Sequence, residues 1–152
     1  MKPKRVVLDT NVCLDLFVFH DPRWTALLAA LRAGEIEAVT NEHCRNEWLR
    51  VLDYQSLPLN DESKLRAATE FDALIACIEP VQKATPLPLC TDSDDQKFLE
   101  LARDADAALL VTKDKALLKL ARKTARAGMF AIIRPETWPA ATPLPAIRTV
   151  GA

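Results

Sequence analysis

The sequence predicts a three-layer α/β/α domain with a mainly parallel central sheet. Residues 6–8 and 108–111 form continuous apolar runs, which are typical of strands buried on both faces. Each run is followed within three residues by a carboxylate, Asp9 or Asp114. Segments with helical spacing alternate with these and other short apolar runs, as βαβ units require.

In the first half of the chain, apolar spacing and capping residues define the helices. Leu27, Leu28 and Leu31 recur at helical spacing, Gly34 suits a helix end, and Asn41 suits a helix N-cap. The predicted elements are, in order, a strand over 5–9, a short helix ending near 20–22, a helix over 22–33, a strand over 35–40, a helix after Asn41 and a helix over 61–77.

The second half begins after a segment interrupted by Pro80, Pro86 and Pro88, where no regular element is predicted. Ser93 and Gln96 fit a capping box at the start of the next helix. The predicted elements are a helix over 94–105, a strand over 108–111, a helix within 115–127 and a strand over 129–133. We therefore predict one domain over 1–138 and a Pro- and Ala-rich tail over 139–152.

Composition is ordinary for a soluble globular protein, with 152 residues, 49% hydrophobic and 27% charged. No apolar stretch has the length of a membrane span, and Asp9 interrupts the first apolar run too early for a signal peptide. We therefore expect a cytoplasmic protein without a membrane partner. The four cysteines lack any C-x-x-C pair, which favours reduced thiols over zinc or disulfides.

Two acids are expected at the same edge of the sheet. Asp9 and Asp114 follow apolar strands, and ligands of open parallel sheets bind beyond the carboxyl ends of the strands. A carboxylate at such a position is costly unless it is paired, caps a helix or binds a metal. Capping remains open for Asp9, because a helix follows at once. Asn11 and Thr112 add neutral oxygens that could orient a water or a carboxylate.

Further acids have competing explanations. Asp95 lies one turn before Phe98 on the inward face of its helix, whereas Asp92 and Asp94 fit acids that complement the helix dipole. Glu47 borders the buried face of its helix, and phase alone favours a surface Glu paired with Arg50.

A cluster of carboxylates without His or Cys suits Mg²⁺ or Mn²⁺ rather than zinc. Two acids at one sheet edge repel each other unless a cation holds them. Hard divalent ions activate water and bind phosphate oxygens in phosphodiester hydrolysis. These residues therefore point to a metal site.

The chain resembles the PIN-domain ribonucleases, of the kind found as toxins of prokaryotic toxin–antitoxin pairs. The resemblance covers about residues 6–138. It rests on Val-Val-Leu-Asp-Thr-Asn at the start, Glu-Trp-Leu-Arg-Val-Leu from residue 47, Asp-Ser-Asp-Asp-Gln-Lys-Phe-Leu from residue 92, and Leu-Val-Thr-Lys-Asp ending at residue 114.

The resemblance implies a catalytic and metal-binding acidic quartet with supporting polar residues. It raises Glu47 above what helix phase alone supports, and Lys113 departs from the Gly that is common in this subgroup. The quartet falls on Asp9, Glu47, Asp95 and Asp114, with Asp92 as an accessory acid and Asn11 and Thr112 as supporting residues.

Basic residues near the site are candidates for RNA binding. A stripe begins beside Asp114 at spacings of four, three and four along one predicted helix, although a solvated surface face would look the same. Lys113 could reach a phosphate or pair with an acid. The candidates are Lys113, Lys115, Lys119, Arg122 and Arg126.

The resemblance implies a Mg²⁺- or Mn²⁺-dependent endoribonuclease with an RNA substrate, a cognate antitoxin and a homodimeric state. The apolar side chains Phe17, Phe19, Trp24 and Leu28 exceed what one face of a small sheet needs, which also favours a homodimer. The alternative is a non-catalytic PIN-like module that binds RNA or protein.

Two other classes are disfavoured. A phosphatase of the haloacid-dehalogenase type needs a second Asp where this chain has Asn11. A nucleotide-binding module needs a glycine-rich phosphate-binding loop, which the three glycines do not form.

Overall fold

The computed structural model describes residues 3–138, and the predicted tail over 139–152 lies outside the described residues. The strands are β1 (Lys4–Leu8), β2 (Ile36–Thr40), β3 (Ile75–Cys77), β4 (Leu109–Val111) and β5 (Ala131–Ile133). The helices are α1 (Thr10–Phe17), α2 (Thr25–Ala33), α3 (Glu42–Leu52), α4 (Asp61–Leu74), α5 (Gln96–Asp104), α6 (Lys115–Leu118) and α7 (Ala121–Arg126). Single turns of 3₁₀ helix cover Pro22–Trp24, Ser93–Asp95 and Pro135–Thr137.

The described strands form one parallel sheet in the order β3-β2-β1-β4-β5. Val6 of the central strand β1 lies opposite Ala38 of β2 and Leu109 of β4. The chain first adds strands on one side of β1 and then crosses to the other side. The strand order therefore reverses between β1 and β4, and the carboxyl ends of these strands flank the crevice where open α/β sheets bind ligands.

Helices cover both faces of the sheet, so the predicted α/β/α fold is confirmed. Along β1, Val6 and Leu8 pack into a cluster that includes apolar residues of α1 to α4, such as Trp48 and Phe71. Val7 points to the opposite face and packs into a cluster that includes residues of α5 and α6. This alternation explains why the strands are apolar throughout, since both faces are buried.

Two predicted helices have different boundaries in the structure. The helix predicted over 61–77 ends at Leu74, because Ile75–Cys77 pairs with β2 and becomes β3. The helix predicted within 115–127 is divided into α6 and α7. Leu120 donates its amide hydrogen to the Leu117 carbonyl oxygen at 2.9 Å, and this i→i−3 turn is tighter than an α-helix.

The capping box predicted at Ser93 was wrong. The Asp92 carboxylate caps this turn by accepting from the Asp94 amide at 3.0 Å. Gln96 instead fixes the preceding loop, accepting from the Cys90 amide at 2.7 Å and donating to the Pro88 carbonyl at 3.1 Å.

The apolar residues near the N-terminus serve mainly the core. Phe17 and Trp24 are buried, and Leu28 packs against the same cluster, whereas Phe19 is exposed. Within residues 3–138, no helix combines the length and the hydrophobicity needed to cross a bilayer.

Candidate metal centre

Three acids meet beyond the carboxyl ends of β1 and β4. Asp9 follows β1 directly and caps α1, Asp114 caps α6, and Asp95 ends the turn before α5. Each contributes one carboxylate oxygen to a group in which all three atoms lie within 4.8 Å of one another. The reversal of strand order thus brings together acids from separate segments of the chain.

Asp9 is held by three donors while its carboxylate is buried. One oxygen accepts from the Thr10 amide at 2.7 Å, and the other accepts from the Thr112 hydroxyl at 2.7 Å and the Asn11 amide at 3.2 Å. Burial raises the pKa of Asp9 to about 6, because desolvation of the charged form outweighs these hydrogen bonds. The negative charges of Glu47 and Asp114 add to the rise in pKa.

Thr112 joins the first and last acids. It is fully buried, and its hydroxyl donates to Asp9 while accepting from the Asp114 amide at 2.9 Å. One side chain therefore fixes the position of the Asp9 carboxylate and the backbone of Asp114.

Asp95 carries an unsatisfied oxygen. The residue is only 9% exposed, and its Oδ2 is buried without a hydrogen-bond partner among residues 3–138. Burial, the nearby Asp114 carboxylate and repulsion by Asp9 raise the pKa of Asp95 to about 8. A buried carboxylate oxygen without a donor is costly, and a cation bound at this site would satisfy it.

Glu47 lies beside the three-acid group but is paired elsewhere. One carboxylate oxygen is 2.6 Å from the Lys97 ammonium nitrogen, and the other accepts from the Thr10 hydroxyl. Lys97, whose side chain is 7% exposed, also donates to the carbonyl of Asp94. The partner that helix phase suggested for Glu47, Arg50, forms no ion pair within residues 3–138.

Sequence reasoning missed Lys97, although a signal was present. Lys97 lies four residues before the buried Leu101, so it falls on the inward face of α5. A lysine on such a face implies an acidic partner.

Lys113 pairs with an acid rather than standing free. Its ammonium nitrogen is 2.7 Å from Asp15 Oδ2, which also accepts from the Trp24 indole at 3.0 Å. Its backbone amide donates to Asn11 at 3.4 Å. Asp15 was also missed, because the two partners are far apart in the sequence and no local pattern links them.

The acids open into a cleft of about 890 Å³. Asp9, Asn11, Glu47, Asp95 and Asp114 line it, as does the capping residue Asp92. The four basic residues predicted as a stripe are exposed along the segment from α6 to α7 but do not line the cleft: Lys115, Lys119, Arg122 and Arg126. The basic residues that do line it are His43, Arg50 and Lys97.

The described carboxylates fit a hard divalent cation, because the group offers oxygen donors alone. The three-acid group could therefore hold a metal ion.

Comparison with known proteins identifies a family of nucleases. The family model described as the PIN domain matches residues 5–116, a segment that contains every acid of the predicted quartet. No curated protein matches the chain. PIN domains are generally nucleases, which are hydrolases, and they use divalent metal ions. Because the match spans well over half of its length, the chain belongs to the PIN-domain family.

Proposed function

We propose that this protein is a Mg²⁺- or Mn²⁺-dependent endoribonuclease that hydrolyses RNA phosphodiester bonds. The observation that carries the proposal is the convergence of three carboxylates within 4.8 Å beyond the strand ends. A protein that only binds RNA gains nothing from mutually repelling acids, which weaken its attraction to phosphates.

Asp9, Asp95 and Asp114 would hold the ion. Their oxygen donors and the unpartnered Oδ2 of Asp95 support this assignment. A bound Mg²⁺ or Mn²⁺ supplies a water of lowered pKa and neutralises charge on the phosphate oxygens.

The remaining polar residues orient these groups. Thr112 and Asn11 hold the Asp9 carboxylate, and Thr112 also fixes the start of α6. Glu47 would bind the ion or orient the attacking water, and its contact with Lys97 sets the position of its carboxylate.

We further propose that the protein is the toxin of a toxin–antitoxin pair, acting in the cytoplasm as a homodimer. The resemblance of its motifs to PIN toxins supports this role. The basic residues of α6 and α7 would then guide RNA toward the cleft from outside it, and a segment of the cognate antitoxin would fill the groove and supply a cation to the acids.

The experiment is cleavage of a labelled RNA by the purified protein with Mg²⁺, with Mn²⁺ and with excess chelator. Cleavage should require the metal. Asp9→Asn should reduce the rate by more than the roughly 10–100-fold that loss of an outer partner of a metal ligand costs. Cleavage in chelator, or full activity of this variant, would contradict the proposal.

The matched control is Asp106→Asn. This residue lies before β4, at the opposite edge of the sheet, and its positive φ of 56° is a conformation that Asn also adopts. The same chemical change at this position should leave cleavage unchanged.

A further inference from the structure

Two exposed aromatic side chains stand in the acidic cleft. Phe19 is 51% exposed and Tyr54 is 57% exposed, and both line the cleft that holds Asp9, Asp95 and Asp114. Of the large hydrophobic residues exposed in the described chain, the others, Leu65, Val81 and Leu89, lie outside this cleft. Packing of the hydrophobic core therefore does not explain why these two aromatic rings are exposed at the site.

The backbone holds Phe19 in this position at a conformational cost. Its amide donates to the Leu14 carbonyl at 2.9 Å, and the next residue, His20, has a φ of 49°. A non-glycine residue in the left-handed region is uncommon and persists only where its surroundings fix it. Here the Asp21 amide closes the turn on the Asp15 carbonyl at 2.8 Å.

The side chains of this cleft offer an RNA backbone little electrostatic attraction. Its lining carries seven acids against Lys97, Arg50 and a histidine, and Lys97 is already paired with Glu47. A phosphate backbone is attracted by cations, so a cleft of this composition needs another source of binding energy.

We propose that Phe19 and Tyr54 form a platform on which unpaired nucleobases stack, next to the phosphate that the acids face. Every base presents a π-face, so stacking is tolerant of sequence and independent of cations. Bases within a duplex have these faces covered, so stacking on the platform requires an unpaired base. This inference rests on the proposed nuclease function and assigns two further substrate-binding residues to it.

The test combines cleavage with binding for Phe19→Ala, Tyr54→Ala and the control Val81→Ala. Val81 is 84% exposed and lies outside the cleft. On an unstructured RNA, each cleft variant should raise KM about 10-fold, as the loss of one stacked base predicts, with kcat nearly unchanged. Val81→Ala should match the wild type, and Tyr54→Phe should retain wild-type KM because the ring remains.

Binding is measured separately with a single-stranded RNA containing 2-aminopurine, whose fluorescence is quenched by stacking, in Ca²⁺. Quenching by the wild type should weaken in both alanine variants. If the wild type cleaves RNA and both variants keep its KM and quenching, the platform is wrong and the nuclease assignment survives. If the wild type does not cleave but the variants lose quenching, the nuclease assignment fails and the platform survives. Unchanged binding with an altered molecular mass would assign the rings to a protein interface and overturn the inference.

Discussion

Asp9 caps a helix and faces the acid cluster with the same carboxylate. Its position at the end of an apolar strand predicted a special role, and capping and metal binding were both open from the sequence. In the structure the Thr10 amide binds one oxygen, and the three-acid group includes the same side chain. The position of this acid at a strand end was therefore predictable, because it depends only on the local order of residues in the sequence.

The partner of Glu47, by contrast, was not predictable from the local sequence. Helix phase favoured a surface contact with Arg50, and the family resemblance pointed to the site instead. The structure pairs it with Lys97, 50 positions along the chain on another helix. Such a pair arises from the packing of α3 against α5, which no local spacing encodes.

The raised pKa values of Asp9 and Asp95 predict that the metal-free protein loses stability as pH rises. In the unfolded chain these carboxyls release their protons near pH 3.8, whereas in the folded protein they hold them to about pH 6 and 8. Between these limits the folded state binds more protons, so the free energy of unfolding falls with increasing pH. Denaturation in chelator should give a lower free energy of unfolding at pH 8 than at pH 5, and Asp9 should contribute about 2–3 kcal/mol over the whole pH range between its unfolded and folded pKa values.

Divalent metal should reverse this trend, because the ion binds the charged carboxylates that burial disfavours. Asp9→Asn should weaken the pH dependence in chelator and leave the part carried by Asp95, while Asp53→Asn, which changes an acid 77% exposed outside the cleft, should leave it as in the wild type. A metal-free protein whose stability rises toward pH 8 would show that these acids do not carry the shift.

At the level of elements, strands and helices with strong local patterns were predicted well. The central strands follow from continuous apolar runs, and α2 and α3 follow from spacing, Gly34 and Asn41. The strand β3 was missed because only its pairing with β2 distinguishes Ile75–Cys77 from a last helical turn. Long-range hydrogen bonds, rather than local periodicity, therefore determine the secondary structure of that segment.

The contact between α3 and α5 predicts strong coupling between Glu47 and Lys97. Lys97→Met leaves a largely buried carboxylate without its partner, which should lower the free energy of unfolding in chelator by about 3 kcal/mol. The double variant with Glu47→Gln should recover much of this loss, because both charges are then removed. Urea denaturation of the two single variants and the double variant measures the coupling.

The control is Lys64→Met, which removes an exposed pair with Asp53 whose charged atoms are 3.5 Å apart. Exposed pairs contribute at most about 1 kcal/mol. If Lys97→Met costs no more than this control, the buried pair does not hold the two helices together.

On the scale of the whole molecule, the order of strands explains why the site exists. Asp9 lies more than 80 positions before Asp95 and Asp114 in the sequence, and the reversal between β1 and β4 brings the three acids to one crevice. The sequence predicted the acids and the class of sheet, but not the cleft lining. The predicted basic stripe lies outside the cleft, and the break at Leu120 divides the helix on which it was predicted.

The homodimer remains a prediction, and the structure changes the surface on which it would depend. Phe17 and Trp24 are used in the core, so the apolar surplus that favoured association is reduced to Phe19 in that region. Leu65 is exposed outside the acid cleft, so a dimer that buries it would leave the acids open to RNA. We expect a homodimer because PIN toxins, which the chain resembles, commonly form homodimers.

Light scattering at micromolar concentration should therefore give twice the 16.9 kDa of one chain. Leu65→Asp should lower this mass, because a charge buried in an apolar interface is costly, whereas Glu35→Asp on the exposed turn after α2 should not. A mass of one chain at every concentration would contradict the predicted homodimer. The nuclease assignment would stand in that case, because all three acids of the group come from one chain.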